Sequence, residues 1–133
     1  MATQQLTKNQ TLVMDALSHS EGPMSAYTIL DKLRDHGFRA PLQVYRALDT
    51  LIKGGYVHRL ESLNAFVACA EPHDHSHDMT AFAICDKCGQ VVEMSDHEVG
   101  EQLDHWVRST GFAAKKAVIE FRGTCAKCLA EAA

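Results

Sequence analysis

Cys85-Asp86-Lys87-Cys88 and Cys125-Ala126-Lys127-Cys128 are two CxxC motifs in a chain of 133 residues. In each, two thiols sit on one tight turn, close enough to hold one side of a metal ion. Together they supply four thiolates, the donor set of a closed tetrahedral zinc site. The stretch between them, residues 89–124, has room for two strands and a helix, which such an ion would staple together. Two other chemistries use CxxC. Disulfides suit secreted chains, whereas this one opens on polar residues with no leader, so a reducing cytoplasm is expected. A thioredoxin-like redox motif needs a βαβ pattern ahead of it and no duplicate. The four-thiol zinc site is the better reading.

The elements that must position these thiols can be read by periodicity. A first helix is expected from Thr7 to Ser18, with Leu12, Val13, Ala16 and Leu17 at helical spacing, and Gly22-Pro23 follows it. Ser25 caps a second helix whose face is Ala26, Ile29, Leu30 and Leu33, ended by His36-Gly37. Pro41 starts a third, Leu42 to Lys53, with Val44, Ala47, Leu48, Leu51 and Ile52 inward and Gly54-Gly55 as its stop. Tyr56–Leu60 and Ala65–Cys69 then read as a hairpin around Glu61-Ser62-Leu63-Asn64. Three helices and a hairpin outline a winged helix-turn-helix, in which the third helix enters the major groove and the hairpin is the wing.

Residues 71–79 are polar, proline-bearing and histidine-rich, which marks a hinge with a hint of metal. Beyond it, strands are expected at Ala81–Cys85, Gln90–Met94 and Lys115–Arg122. Between the last two, Ser95 caps a helix reaching about Thr110, with Val99, Leu103, Trp106 and Val107 on its buried side and Gly111 as its end. The fold class is therefore α+β: a winged-helix DNA-binding domain (1–70), a hinge (71–79) and a small α/β dimerisation and metal-binding domain (80–133). A lobe of about 50 residues buries too little surface to stand alone, so it needs its zinc and a partner subunit.

Charge divides along the same line. The chain has a net charge of −4, but residues 1–60 carry seven Lys/Arg against five acids, and the remainder carries six against twelve. Only the first half suits a polyanion. No apolar run approaches the ~20 residues that cross a bilayer.

With these residues in view, the chain resembles the ferric uptake regulator family of bacterial metal sensors, and within it the zinc uptake regulator branch. The resemblance rests on Ser25-Ala26-Tyr27, Val44-Tyr45-Arg46-Ala47-Leu48-Asp49, Tyr56-Val57-His58-Arg59-Leu60-Glu61-Ser62, Phe82-Ala83-Ile84 with the first CxxC and Gly89, Val118-Ile119-Glu120, and the second CxxC. It covers nearly the whole chain. It implies a homodimeric repressor of zinc uptake genes, with metal at the hinge switching on operator binding. It also implies a regulatory zinc held by His58, Cys69, His77 and Glu93, with His75 as the alternative to His77. One thiolate, one carboxylate and two neutral imidazoles would leave a divalent ion uncharged overall, and sulfur with imidazole favours zinc over iron or manganese. Many relatives carry a third site whose ligands include a Glu in the dimerisation helix and a His in the last strand. Gly100 and Ala117 stand at about those places, with His97, Glu98 and Glu101 nearby, so two zinc ions per chain are expected.

On the DNA side, Arg46 is expected to reach guanine acceptors and Tyr45 a thymine methyl or a phosphate. Lys8, Arg39 and Arg59 are expected on phosphates. Asp31 and Arg34 match a pair that links adjacent dimers on DNA in the zinc branch. Three rival functions fit the sequence less well. An iron, manganese or peroxide sensor of the same family does not need Cys69. A zinc hydrolase keeps an open ligand position and a general base. A passive zinc buffer has no use for a recognition helix. Neither a membrane nor a small-molecule substrate is expected.

Overall fold

Thr7 starts the first helix because its hydroxyl accepts the Gln10 N–H at 3.2 Å while its own N–H donates to Gln10 Oε1 at 3.0 Å. This reciprocal cap begins α1 (Lys8–Ser18) in a computed structural model that describes residues 6–69, 80–115 and 117–132. The expected hinge, with His73, His75 and His77, lies outside the described residues. The chain divides into two units, Met1–Pro72 and His73–Ala133.

In the first unit, Ser25 Oγ accepts the Thr28 N–H at 3.2 Å and starts α2 (Ala26–Leu33). A 3₁₀ turn, Arg34–His36, runs on from it and ends at Gly37, whose φ of 98° is left-handed and suits glycine. Helix α3 (Pro41–Lys53) opens on a proline, which lacks the N–H that a first-turn residue leaves unused. Val44, Ala47, Leu48 and Leu51 face inward, as their spacing predicts. They meet Val13, Ile29, Leu30 and Phe38 in one apolar core. Strands β1 (Val57–Leu60) and β2 (Ala65–Ala68) pair antiparallel, with His58 opposite Val67. Asn64 turns the hairpin at a φ of 49°, and a bridge from Met24 to Phe66 fastens β2 to the helices.

The second unit is a three-stranded sheet in the order β4-β3-β5, built from β3 (Thr80–Cys85), β4 (Val91–Ser95) and β5 (Ile119–Gly123). Strands β3 and β4 are antiparallel, while β3 and β5 are parallel. A parallel neighbour requires a crossover, which α4 (His97–Ser109) supplies. A short α5 (Ala126–Ala132) closes the chain.

Four expectations change here. Asp96, not Ser95, caps α4, accepting the Val99 N–H at 3.1 Å. Strand β5 begins at Ile119 rather than Lys115, and α5 was not anticipated at all. Most of all, the apolar stripe of α4 is not buried in the single chain: Trp106 is 67% exposed and Val99 54%. The period of a stripe says which side is apolar, not what covers it.

Candidate metal centre and nucleic-acid interface

The parallel pairing of β3 with β5 brings the two CxxC motifs together. Cys85, the last residue of β3, is level with Gly123, the last of β5, so both turns leave the sheet at the same end. Gly89 completes the first turn at a φ of 77°, donating its N–H to Cys85 O at 3.0 Å. The second turn runs into α5, where Leu129 N–H returns to Cys125 O at 2.9 Å. All four sulfurs lie within 4.8 Å of one another, with Cys85–Cys128 and Cys88–Cys125 each at 3.8 Å. Zinc–sulfur bonds of about 2.3 Å in a tetrahedron imply sulfur pairs about 3.8 Å apart, so the cluster has the dimensions of a closed zinc site. The same distances are far beyond the ~2.05 Å of a disulfide.

The charges point the same way. The N–H groups of Cys88 and Cys125 aim at Cys85 Sγ from 3.5 and 3.4 Å. These donors, that of Cys88 first, draw the Cys85 thiol down to about 6. The Cys128 thiol is pushed up to about 12, by its hydrogen bond with the Cys125 side chain and by burial. Cys128 thus resists ionising where Cys85 is helped to, a penalty that a dication held by the four sulfurs would offset.

One support of this centre went unread in the sequence. Asp86, inside the first CxxC, accepts Arg122 Nε and Nη2 on Oδ1 at 3.0 and 2.7 Å, and its N–H donates to Gly123 O at 2.7 Å. The first turn is thereby tied to the end of β5 independently of any sulfur. No spacing rule links residues 36 apart, so only the fold reveals the pair.

The wing holds two of the other expected ligands. The Cys69 N–H donates to Tyr56 O at 2.8 Å, which extends the β1–β2 ladder by one rung beyond β2. Tyr56 and His58 are two apart on one strand and share a face, so Cys69, opposite Tyr56, is on the His58 face too. A ring nitrogen of His58 and the Cys69 sulfur are within 4.8 Å. Cys69 is buried and His58 half-buried. In the second unit Glu93 lies mid-β4, opposite Phe82, and is half-buried. His77 and its alternative His75 are outside the described residues. Gly100 is buried in α4, Ala117 is exposed ahead of β5, and His97 Nε2 pairs with Glu101 at 3.0 Å.

On α3, Tyr45 and Arg46 stand off the core stripe, Tyr45 37% exposed and Arg46 exposed. Lys8, at the start of α1, and Arg39, just before α3, are exposed. Arg59 on β1 donates to Asn64 Oδ1 at 2.9 Å and lies 3.7 Å from Glu61. Asp31 and Arg34 meet each other at 3.1 Å on the surface of the α2 turn. Two side chains missed by the sequence reading are Gln10 and Gln43. The second accepts the N–H groups of Arg39 and Ala40 at 2.6 and 3.1 Å, and so caps α3 where Ala40 cannot. The signal was present in the spacing, a Gln three residues after each helix cap.

The profile of the Ferric uptake regulator family matches residues 2–122. The chain is 39% identical over 125 residues to the Zinc uptake regulation protein of Escherichia coli (strain K12), across 93% of this chain and 72% of that protein. Two solved structures superpose closely. Holo XcZur has a TM-score of 0.87 at 40% identity, covering 97% of this chain and 89% of its own. A Zinc Uptake Regulator complexed with zinc and DNA has a TM-score of 0.89 at 37% identity, covering 97% and 87%.

Proposed function

Because this chain belongs to the Ferric uptake regulator family, we propose that it is a zinc-responsive transcriptional repressor, a homodimer that grips operator DNA when loaded with zinc and controls zinc uptake genes. The observation that carries the reading is a thiol beside an imidazole on the wing of a DNA-binding fold, His58 with Cys69. A sulfur donor there suits zinc better than iron or manganese, which prefer shells richer in oxygen.

In this reading the chain has two zinc ions. Cys85, Cys88, Cys125 and Cys128 hold a structural one. His58, Cys69, Glu93 and a hinge histidine, His77 or else His75, hold a regulatory one. The regulatory ligands come from both sides of the hinge, so their ion ties the DNA-binding domain (1–70) to the dimerisation domain (80–133). The four-thiol ion sits within one domain and carries no such message. Zinc favours the arrangement in which two recognition helices match half-sites one DNA turn apart, about 34 Å, and the populations shift toward it. Arg46 and Tyr45 read bases, while Lys8, Arg39 and Arg59 hold phosphates. Asp31 and Arg34 join neighbouring dimers where two share an operator. The work is done by binding alone, and no catalytic role is assigned to any residue. Among the described residues no helix is long and apolar enough to cross a membrane; the chain acts in the cytoplasm, where the DNA is.

The test is zinc-dependent retardation of promoter DNA by the parent and by Cys69→Ser. The variant should remain a folded dimer with its structural zinc and lose most of the zinc response. It should keep weak non-specific binding at low salt, because its basic residues are intact. Normal zinc-activated operator binding by Cys69→Ser would sink the assignment. Iron or manganese activating the parent as well as zinc does would favour the iron or manganese sensor instead.

A further inference from the structure

Resting on the reading of this chain as a DNA-binding protein, we infer that a cleft between the starts of α1 and α3 is a docking site for one backbone phosphodiester of duplex DNA, with the side-chain amides of Gln10 and Gln43 as its hydrogen-bond donors. The cleft has a volume of about 360 Å³, and its walls include Thr7, Asn9, Gln10, Gln43, Arg46 and Thr50. Every one of these residues is in the first unit.

Capping decides which way the two amides point. Of the two polar ends of a side-chain amide, a backbone N–H can donate only to the oxygen, so the Thr7 N–H fixes Gln10 Oε1 at 3.0 Å. The Arg39 and Ala40 N–H groups fix Gln43 Oε1 in the same way at 2.6 and 3.1 Å. Each amide has then spent its acceptor on a helix start, and its other polar end is an NH₂. Among the described residues no protein acceptor takes either NH₂. The Thr7 hydroxyl already accepts the Gln10 N–H, and the Thr50 hydroxyl donates to Arg46 O at 3.4 Å. What remains on the cleft includes both of these NH₂ groups, with the Asn9 amide and the Arg46 guanidinium beside them and no carboxylate. That chemistry suits an acceptor-only, negatively charged group, and a phosphodiester is such a group. Arg46 also projects from α3, so a phosphate seated here would fix the position from which Arg46 reaches the bases.

Substitution by Glu isolates the claim. A Glu keeps the oxygen that caps the helix, and Glu is a favoured residue in that box, but it replaces the NH₂ with a second carboxylate oxygen. Gln10→Glu and Gln43→Glu are compared with Thr11→Glu, which adds the same charge at an exposed position that does not line the cleft. Binding of the zinc-loaded full chain is read by fluorescence anisotropy on the operator and on a scrambled duplex, across a potassium chloride series. Each Gln variant should bind both duplexes about tenfold more weakly, as expected for losing a hydrogen bond to a charged group. Its salt slope should fall by about one, and the ratio of operator to scrambled affinity should hold. Thr11→Glu should change binding less than about twofold, and all three should melt like the parent. The inference is overturned if the Gln variants match Thr11→Glu, if they change the operator ratio, or if they melt early. A parent that shows no zinc-dependent operator preference would defeat the functional reading. In that case the same comparison on scrambled duplex at low salt still decides the cleft.

Discussion

The two units are held together by different means. The first buries Val13, Ile29, Val44, Leu48 and Leu51 completely, and three helices with a bridged hairpin enclose them. Among its described residues the second buries only Phe82, Ile84, Cys85, Gly100 and Cys128, while Trp106, Phe112, Phe121 and Leu129 are each more than half exposed. A side chain buried by its neighbours contributes about 1.5–3 kcal/mol, and the first unit has many such residues. The second has few, and its two buried thiols belong to the four-sulfur cluster. One unit folds on apolar burial, the other has a four-thiol cluster of zinc-site dimensions in place of a large core, and the apolar surface it leaves exposed is suited to a second subunit.

The largest effect should come from breaking the metal side of this contrast. Cys88→Ser, or removal of zinc by a strong chelator, should unfold most of the second unit and leave the first intact. Structural zinc in small domains contributes about 10–16 kcal/mol of apparent binding energy, more than so thin a core could replace. The aromatic residues allow the two to be followed separately. The one tryptophan, Trp106, is in the second unit, and all three tyrosines, Tyr27, Tyr45 and Tyr56, are in the first. Trp106 fluorescence should move with zinc loss while tyrosine signals and first-unit helicity persist. A second unit that keeps its Trp106 signal without zinc would erase the distinction.

Breaking the apolar side should cost less. Leu48 is fully buried on α3, and Leu48→Ala should lower the stability of the first unit by about 2–5 kcal/mol. The zinc held by Cys85, Cys88, Cys125 and Cys128 should stay bound. Urea unfolding followed by tyrosine fluorescence reads the first quantity, and a zinc assay of the same sample reads the second. Loss of the four-thiol zinc with Leu48→Ala would mean that the units do not fold separately.

The same contrast explains what the sequence disclosed. In the first unit each helix is bounded by a local signal, such as Thr7, Ser25, Pro41 or Gly54, and its apolar period is satisfied within the unit, so its helix ends were legible to within about one residue. In the second unit the pairing that matters is not local. Cys85 is level with Gly123 and Asp86 meets Arg122, relations set by a parallel crossover that no short pattern encodes. The CxxC turns were legible because four thiols at such spacing have few other uses. Helix α5 was not, since its seven residues are too few to display a period. The stripe on α4 is apolar as its period predicts but exposed in the single chain, because a period identifies the apolar side and not what covers it.

The smallest effect belongs to the surface of the first unit, where fold and function should separate. Asp31 and Arg34 lie 3.1 Å apart, three residues apart along the chain, with side chains 70% and 56% exposed. Solvent screens such a pair, so its contribution to folding is about 0.2–1 kcal/mol at most. Asp31→Lys should therefore leave the melting temperature of the first unit almost unchanged. If the two residues instead link neighbouring dimers, the reversal should act only where two dimers lie side by side. Binding to an operator long enough for two dimers should lose its cooperativity, while binding to a duplex that admits one dimer should stay within about twofold of the parent. The two duplexes, compared by anisotropy at one salt concentration, separate the cases. Equal weakening on both would return Asp31 and Arg34 to a local helix pair that merely alters the charge of the DNA-binding unit.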